Sequence, residues 1–276
     1  MKDESHLSTS QIEAFAAEIR KLVLEICWKK QTAHLGSALS VIDILAVLLR
    51  HRFNTSLGDL DFSGKDSLLL SKGHAALALY SCLFQLGLLT EGQLNSYSDP
   101  GSNLEEHPNH KIPTVPFATG SLGHGLPLGC GLALGAKMKG LNGKVFVVMS
   151  DGECNEGTVW EAVQFAKTKN LDNLYIFVDH NKLQATGSIT ESLSSISLAN
   201  AFAGFQWNVS EVDGHNSVEI IRALEEMPKN GSPNALICHT IKGRGVSFME
   251  NDNNWHYRAP NREELEKALA ELKLDA

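Results

Sequence analysis

Clustered positive charge is missing from this chain. Its longest basic runs are pairs such as Lys29-Lys30, and 24 Lys and Arg stand against 32 Asp and Glu for a formal net charge of -8. Neutralising the phosphates of a nucleic acid needs grouped cations, so a nucleic-acid groove is excluded and any anionic ligand must be held locally. Long apolar runs are missing too. The most continuous one, 75–89, is interrupted by Ser81, Gln85 and Gly87 and falls short of the roughly 18 residues that span a bilayer. No membrane contact is expected. Residues 1–6 carry acids and lead into no apolar segment, so no secretory leader is read there and a cytoplasmic location is expected. Cysteine is sparse: Cys27, Cys82, Cys130, Cys154 and Cys238 are scattered, odd in number and never spaced as C-x-x-C. That argues against disulfides and against a zinc site, and leaves buried free thiols. With no linker, repeat or low-complexity tract, residues 1–276 read as one domain.

What is present is core-forming material: 43% of the residues are hydrophobic, in a chain long enough for a large single core. Helical spacing runs through Ile12, Phe15, Ala16, Ile19, Leu22, Val23 and Ile26, and again through Val41, Ile44, Leu45, Leu48 and Leu49, with Thr32 and Ser40 as candidate N-caps. A short apolar run at 68–70 reads as a strand that feeds a helix at 75–86 through Lys72-Gly73-His74. Residues 98–125 form a connection too long and polar to be idle. A glycine-rich helix follows at 122–139, against which something packs tightly. Strand 144–149, helix 157–169 and strand 174–178 make a βαβ unit, which demands a parallel sheet. A helix at 218–226, a strand at 235–240 and a helix at 262–272 complete an α/β fold with a doubly wound, mostly parallel sheet flanked by helices.

Ligands of such sheets bind beyond the carboxyl ends of the strands. Asp151 and Asn181 both belong there, and their oxygens suit Mg²⁺ together with phosphate oxygens and water. Gly152 lets the backbone approach the same phosphates, and the helix after Glu156 contributes its positive N-terminal end. Taken singly, Asp151-Gly152 and Asn181 are also ordinary turn residues.

The stretch Ser150-Asp151-Gly152-Glu153-Cys154-Asn155-Glu156-Gly157, closed by Asp179-His180-Asn181-Lys182, resembles the thiamine diphosphate motif that opens with G-D-G and ends about thirty residues later with Asn. Ser150 replaces its first glycine. Ala33-His34-Leu35-Gly36, Ser71-Lys72-Gly73-His74-Ala75, Glu106-His107-Pro108 and Thr119-Gly120-Ser121-Leu122-Gly123-His124-Gly125 resemble transketolases specifically, with His124 where many have Gln. The similarity runs from about residue 10 to 260, the amino-terminal, diphosphate-binding half of a full-length transketolase.

The resemblance implies thiamine diphosphate as cofactor with Mg²⁺ or Ca²⁺. It makes Asp151, Asn181 and the Leu183 carbonyl the metal ligands, and sets His74, Gly152, Glu153 and His256 on the diphosphate. Gly120, Ser121 and Leu122 would line the cofactor rings, with His34, His107 and His256 facing a sugar or sugar-phosphate substrate. It further implies transfer of a two-carbon ketol unit and a partner subunit carrying the pyrimidine-binding half, in an α₂β₂ assembly. The competing readings are the decarboxylating subunit of a 2-oxo-acid dehydrogenase, a deoxyxylulose phosphate synthase, and a binding protein that has lost its chemistry. His6, His51, His110 and His239 match no motif, His180 reads as a spacer, and His215 reads as a turn residue as readily as a ligand. Trp28, Trp160, Trp207 and Trp255 read as core or interface anchors.

Overall fold

Strands rich in Val, Leu, Ile and Phe, with no polar alternation, suit a sheet covered on both faces. The computed structural model describes residues 7–53, 66–112, 114–189 and 196–274; the leader reading at 1–6 lies outside them. The strands are β1 (Ser67–Leu70), β2 (Val145–Ser150), β3 (Leu174–His180), β4 (Leu183–Gln184), β5 (Gly187–Ser188), β6 (Asn208–Asp213) and β7 (Asn234–His239). Five of them form one sheet in the order β1-β2-β3-β7-β6, and every pairing in it is parallel. The doubly wound α/β reading therefore holds. The remaining two, β4 and β5, form a small antiparallel hairpin.

Successive side chains of a strand point to opposite faces. Phe146, Val148 and Phe177 accordingly enter one core, while Val147, Met149 and Ile176 enter the other. The first core is closed by α1 (Thr9–Lys30), α2 (Leu35–Val47), α3 (Ala76–Gln85), α4 (Glu91–Asn95), α8 (Ser217–Glu226) and α9 (Arg262–Leu274). The second is closed by α5 (Gly125–Met138), α6 (Gly157–Thr168) and α7 (Leu198–Gly204). Each fully buried Val, Leu, Ile or Phe adds about 1.5–3 kcal/mol relative to its exposed state.

Local chemistry sets the helix ends. Ser8 caps α1 by accepting from the Gln11 N–H, and the Ser8 N–H in turn donates to Oε1 of Gln11. Lys29 and Lys30 occupy its last turn, where cations offset the helix dipole. Neither Thr32 nor Ser40 is an N-cap. α2 starts behind His34, and Ser40 lies inside that helix with its hydroxyl turned to Asp179.

The glycine-rich helix begins at Gly125, three residues later than its composition implies, because Gly123 in the loop before it is tied to Glu153 through its N–H and to Thr158 through its carbonyl. Tight packing holds for part of it. A Cβ on Gly125 would strike Ser71, and one on Gly129 would stand 2.6 Å from Val147, whereas Gly131 and Gly135 have open space beside them.

The sequence pattern did not reveal β6, α4, α7 or the β4–β5 hairpin. β6 is paired on one side only, and its half-buried residues 208–210 and exposed Glu211 and Asp213 carry no apolar pattern. All five cysteines are buried and unpaired, as their scatter implied. Among the described residues no helix is long and apolar enough to cross a membrane.

Candidate active site

Because the strands are parallel, their carboxyl ends share one edge of the sheet. Ser71-Lys72-Gly73-His74 follows β1, Ser150-Asp151-Gly152 closes β2, Asp179-His180-Asn181 closes β3, and Thr240-Ile241-Lys242 follows β7. Asp151 and Asn181 thus sit at the ends of neighbouring strands, and both are buried.

Three connections carry further histidines to this edge. His34 precedes α2 in a left-handed conformation (φ 70°, ψ 14°), and its backbone N–H donates to the His256 carbonyl at 2.8 Å. A non-glycine residue held there stores of order 1–3 kcal/mol, which the surrounding fold must offset. His256 ends a short 3-10 turn, Asn253–His256. His107 lies against Gly120, whose φ of 140° and lack of a side chain let the ring in; a Cβ there would stand 2.7 Å from the imidazole. Thr119 ties this segment to the sheet by donating from Oγ1 to the Leu70 carbonyl at 2.8 Å.

The four rings converge. His34 lies 5.1 Å from His256, 5.6 Å from His74 and 5.9 Å from His107, and His74 lies 5.7 Å from His256, centroid to centroid. Burial and the positive neighbours keep three of them neutral. His256 is pushed down to about 3, first by burial and next by Lys242. His74 is held well below the usual imidazole value by burial and then by Lys72. His34 is lowered by burial, against the pull of Glu106. A neutral imidazole offers one donor and one acceptor, the equipment needed for hydroxyl groups.

Beneath them lies a charged network that the motifs did not identify. Lys72 donates to Asp179 and, at 3.0 Å, to the Ser37 carbonyl. Asp179 also accepts from Ser40 at 2.6 Å, from Thr240, and from the Asn181 amide at 3.4 Å. Burial works against the charge of Asp179, yet Lys72 and these hydroxyls hold its carboxyl below the usual range. Lys242 donates to Asn253 at 2.7 Å and lies 3.2 Å from Nδ1 of His256; burial, then Lys72, brings it down to about 8. Both lysines follow the ends of parallel strands, so the rule that located Asp151 also points to them.

Asp151 accepts from the N–H groups of Gly152 at 2.8 Å and Lys182 at 2.5 Å. The side-chain Oδ1 of Asn181 accepts from the Leu183 N–H at 3.1 Å. Nδ1 of His180 lies 3.2 Å from Asp151 but out of line for a hydrogen bond, leaving a buried ring nitrogen without a hydrogen-bond partner. Gly152 packs on β4, where a Cβ would meet Gln184 at 3.0 Å. Among the described residues no three His, Cys, Asp or Glu side chains group as a metal cage. One carboxylate, one amide and a backbone carbonyl remain, an all-oxygen set that fits a hard cation keeping water and phosphate oxygens as its other ligands.

Glu153 is fully buried. Its carboxylate takes the Ser71 hydroxyl, the Gly123 N–H at 2.9 Å and the Ser150 N–H at 3.3 Å, which joins β1, β2 and the loop before α5. Ser121 is exposed and Leu122 half-buried beside Gly120, with His124 at the N-cap of α5. His215 is structural, held between Asp43 at 2.6 Å and the Ile241 N–H at 2.8 Å. Trp160, Trp207 and Trp255 each donate their indole N–H to a backbone carbonyl.

A doubly wound sheet with this acidic, histidine-lined edge defines a diphosphate-binding cofactor domain. Over residues 12–275 the chain matches the family described as transketolase, thiamine diphosphate binding domain, and it belongs to that family. It is 38% identical over 270 residues to one of the subunits of an apulose-4-phosphate transketolase from Actinobacillus succinogenes, covering 97% of this chain and 98% of that protein. It is 35% identical over 257 residues to the 6-deoxy-6-sulfo-D-fructose transketolase subunit SqwG of a Clostridium species, covering 92% and 94%. The transketolase of Campylobacter jejuni superposes with a TM-score of 0.90 at 26% identity, over 97% of this chain and 43% of that one. The chain thus spans less than half of that transketolase chain and nearly all of each of the two subunits.

Proposed function

We propose that this chain is the diphosphate-binding subunit of a two-component transketolase, moving a two-carbon ketol unit from a ketose or ketose phosphate to an aldose. The observation that carries the reading is the meeting of His34, His74, His107 and His256 with Asp151 and Asn181 at one edge of the sheet. End-to-end similarity to proteins named as transketolase subunits supports it.

Asp151, Asn181 and the Leu183 carbonyl hold Mg²⁺ or Ca²⁺, and His74, His256 and the Gly152 backbone receive the diphosphate. Gly120, Ser121 and Leu122 line the cofactor rings. Glu153, its carboxylate taken up by the chain's own donors, braces the Ser71 and Gly123 segments that frame the site. Thiamine diphosphate, when bound, supplies the electron sink for breaking and remaking a carbon–carbon bond beside a carbonyl. His34, His107 and His256 bind the sugar hydroxyls, and imidazole nitrogens among them take and return the protons that the donor and acceptor hydroxyls lose and gain.

The pyrimidine-binding half comes from a second polypeptide, in an α₂β₂ complex, and residues 1–276 act as one thiamine diphosphate-binding domain in the cytoplasm. Native mass spectrometry of the protein isolated gently from its source with Mg²⁺ tests the assembly. A complex with a second polypeptide and bound thiamine diphosphate is expected; a homo-oligomer holding neither overturns the reading.

A further inference from the structure

We propose that Glu106 is a positioning residue for His34, its carboxylate holding the imidazole proton on Nδ1 so that Nε2 is left as the basic nitrogen. Nδ1 of His34 is buried and has no hydrogen-bond partner, and Oε2 of Glu106 stands 3.6 Å from it. That separation is too long for a hydrogen bond and within reach of a small side-chain rotation. Catalytic hydrogen bonds are often long in free enzymes and close when substrate binds.

The two partners are unequal in freedom. His34 is fixed by its left-handed backbone and by its N–H bond to the His256 carbonyl. Glu106 is one-third exposed at its side chain, and Ser98 steadies its other oxygen by donating from Oγ at 3.3 Å. Closure therefore falls to Glu106, whose partly exposed side chain can move onto a ring packed among three other imidazoles.

Charge explains why the pair matters. The other ionisable groups facing His34 are the imidazoles of His74, His107 and His256 and the ammonium of Lys242, none of which brings a negative charge to it. Glu106 is the acid set against them. Burial lowers the proton affinity of His34, His107 and Lys242 lower it further, and Glu106 opposes all three. A carboxylate on one ring nitrogen fixes the tautomer and raises the basicity of the other.

The inference rests on the reading of His34 as a residue that handles substrate protons, and its test reports on His34 without turnover. Long-range ¹H–¹⁵N spectra of the histidine-labelled 276-residue chain resolve tautomer and titration of each ring, with His34→Asn removing one signal set for assignment. Wild type is expected to show the Nδ1–H tautomer at His34. Glu106→Gln, which accepts a hydrogen bond but carries no charge, keeps that tautomer with about tenfold lower proton affinity. Glu106→Leu moves the proton to Nε2, and Glu106→Asp restores the wild-type pattern in part. Unchanged tautomer and titration of His34 in both Glu106→Gln and Glu106→Leu overturn the proposal. In the complex with the partner polypeptide, the acid limb of the pH profile of kcat/KM moves in Glu106→Gln in step with the His34 titration. A wild-type pair without ketol transfer, in which His34 still responds to Glu106, instead removes the transketolase reading and leaves the positioning role standing.

Discussion

Lys72 reaches from just beyond β1, across the end of β2, to Asp179 on β3, and the side chains of both residues are completely shielded from solvent. This buried pair ties the strand ends that present His74 and Asn181 to one another. Removing one partner of such a pair leaves an uncompensated charge, at a cost of about 3–5 kcal/mol. Lys72→Met is expected to lose that much in urea unfolding, and Lys72→Met with Asp179→Leu to recover part of it. A single variant as stable as wild type would contradict the arrangement.

Acid should unfold the chain through the histidine cluster. In the unfolded chain an imidazole protonates near pH 6.5, whereas His256 in the fold does so only at about 3, with His74 and His34 also lowered. The unfolded state therefore binds more protons between those values, and stability falls as pH drops from about 6.5 toward 3. His256→Asn is expected to flatten this dependence in melting curves taken from about pH 7.5 to about pH 5; an unchanged slope would exclude His256 as its source.

Four glycines of α5 should divide into two pairs. Gly125→Ala and Gly129→Ala force a methyl into Ser71 and Val147 and are expected to destabilise. Gly131→Ala and Gly135→Ala meet open space in a helix and are expected to stabilise the isolated chain by about 0.5–1 kcal/mol each. Urea midpoints of the four variants decide it.

Cofactor binding should depend on the metal and on pH. Thiamine diphosphate with Mg²⁺ is expected to raise the melting temperature, since a ligand bound only by the folded state stabilises it. The shift should vanish with EDTA and in Asp151→Ala. Lys242 lies 3.2 Å from Nδ1 of His256, one of the residues proposed to receive the diphosphate, and at about 8 in the chain it loses its charge as pH rises through that value, so affinity for the diphosphate should fall above about pH 8 in wild type but not in Lys242→Met. Calorimetry on either side of that value, at about pH 7 and about pH 9, measures both.

Much of this arrangement was legible in the sequence, for identifiable reasons. The apolar runs of β2 and β3 and the turn residues after them placed Asp151 and Asn181 at one sheet edge, because strand pairing is local to a βαβ unit. Short family motifs brought in His34, His74 and His107. What stayed hidden depends on distant contacts. Ser40 looks like a cap until Asp179 is seen opposite it, Lys72 looks like a surface cation until its shielded partner is seen, and Glu106 is one acid among several until His34 is found 3.6 Å away. β6 escaped because an edge strand with one paired side needs no apolar pattern.

The central claim is that ketol transfer needs a second polypeptide to complete this site. The most direct measurement is transfer from a ketose donor to an aldose acceptor, assayed with thiamine diphosphate and Mg²⁺ for the purified chain alone and after addition of the polypeptide that co-isolates with it. The account predicts no transfer by the chain alone and turnover by the pair; full turnover by the chain alone would contradict it.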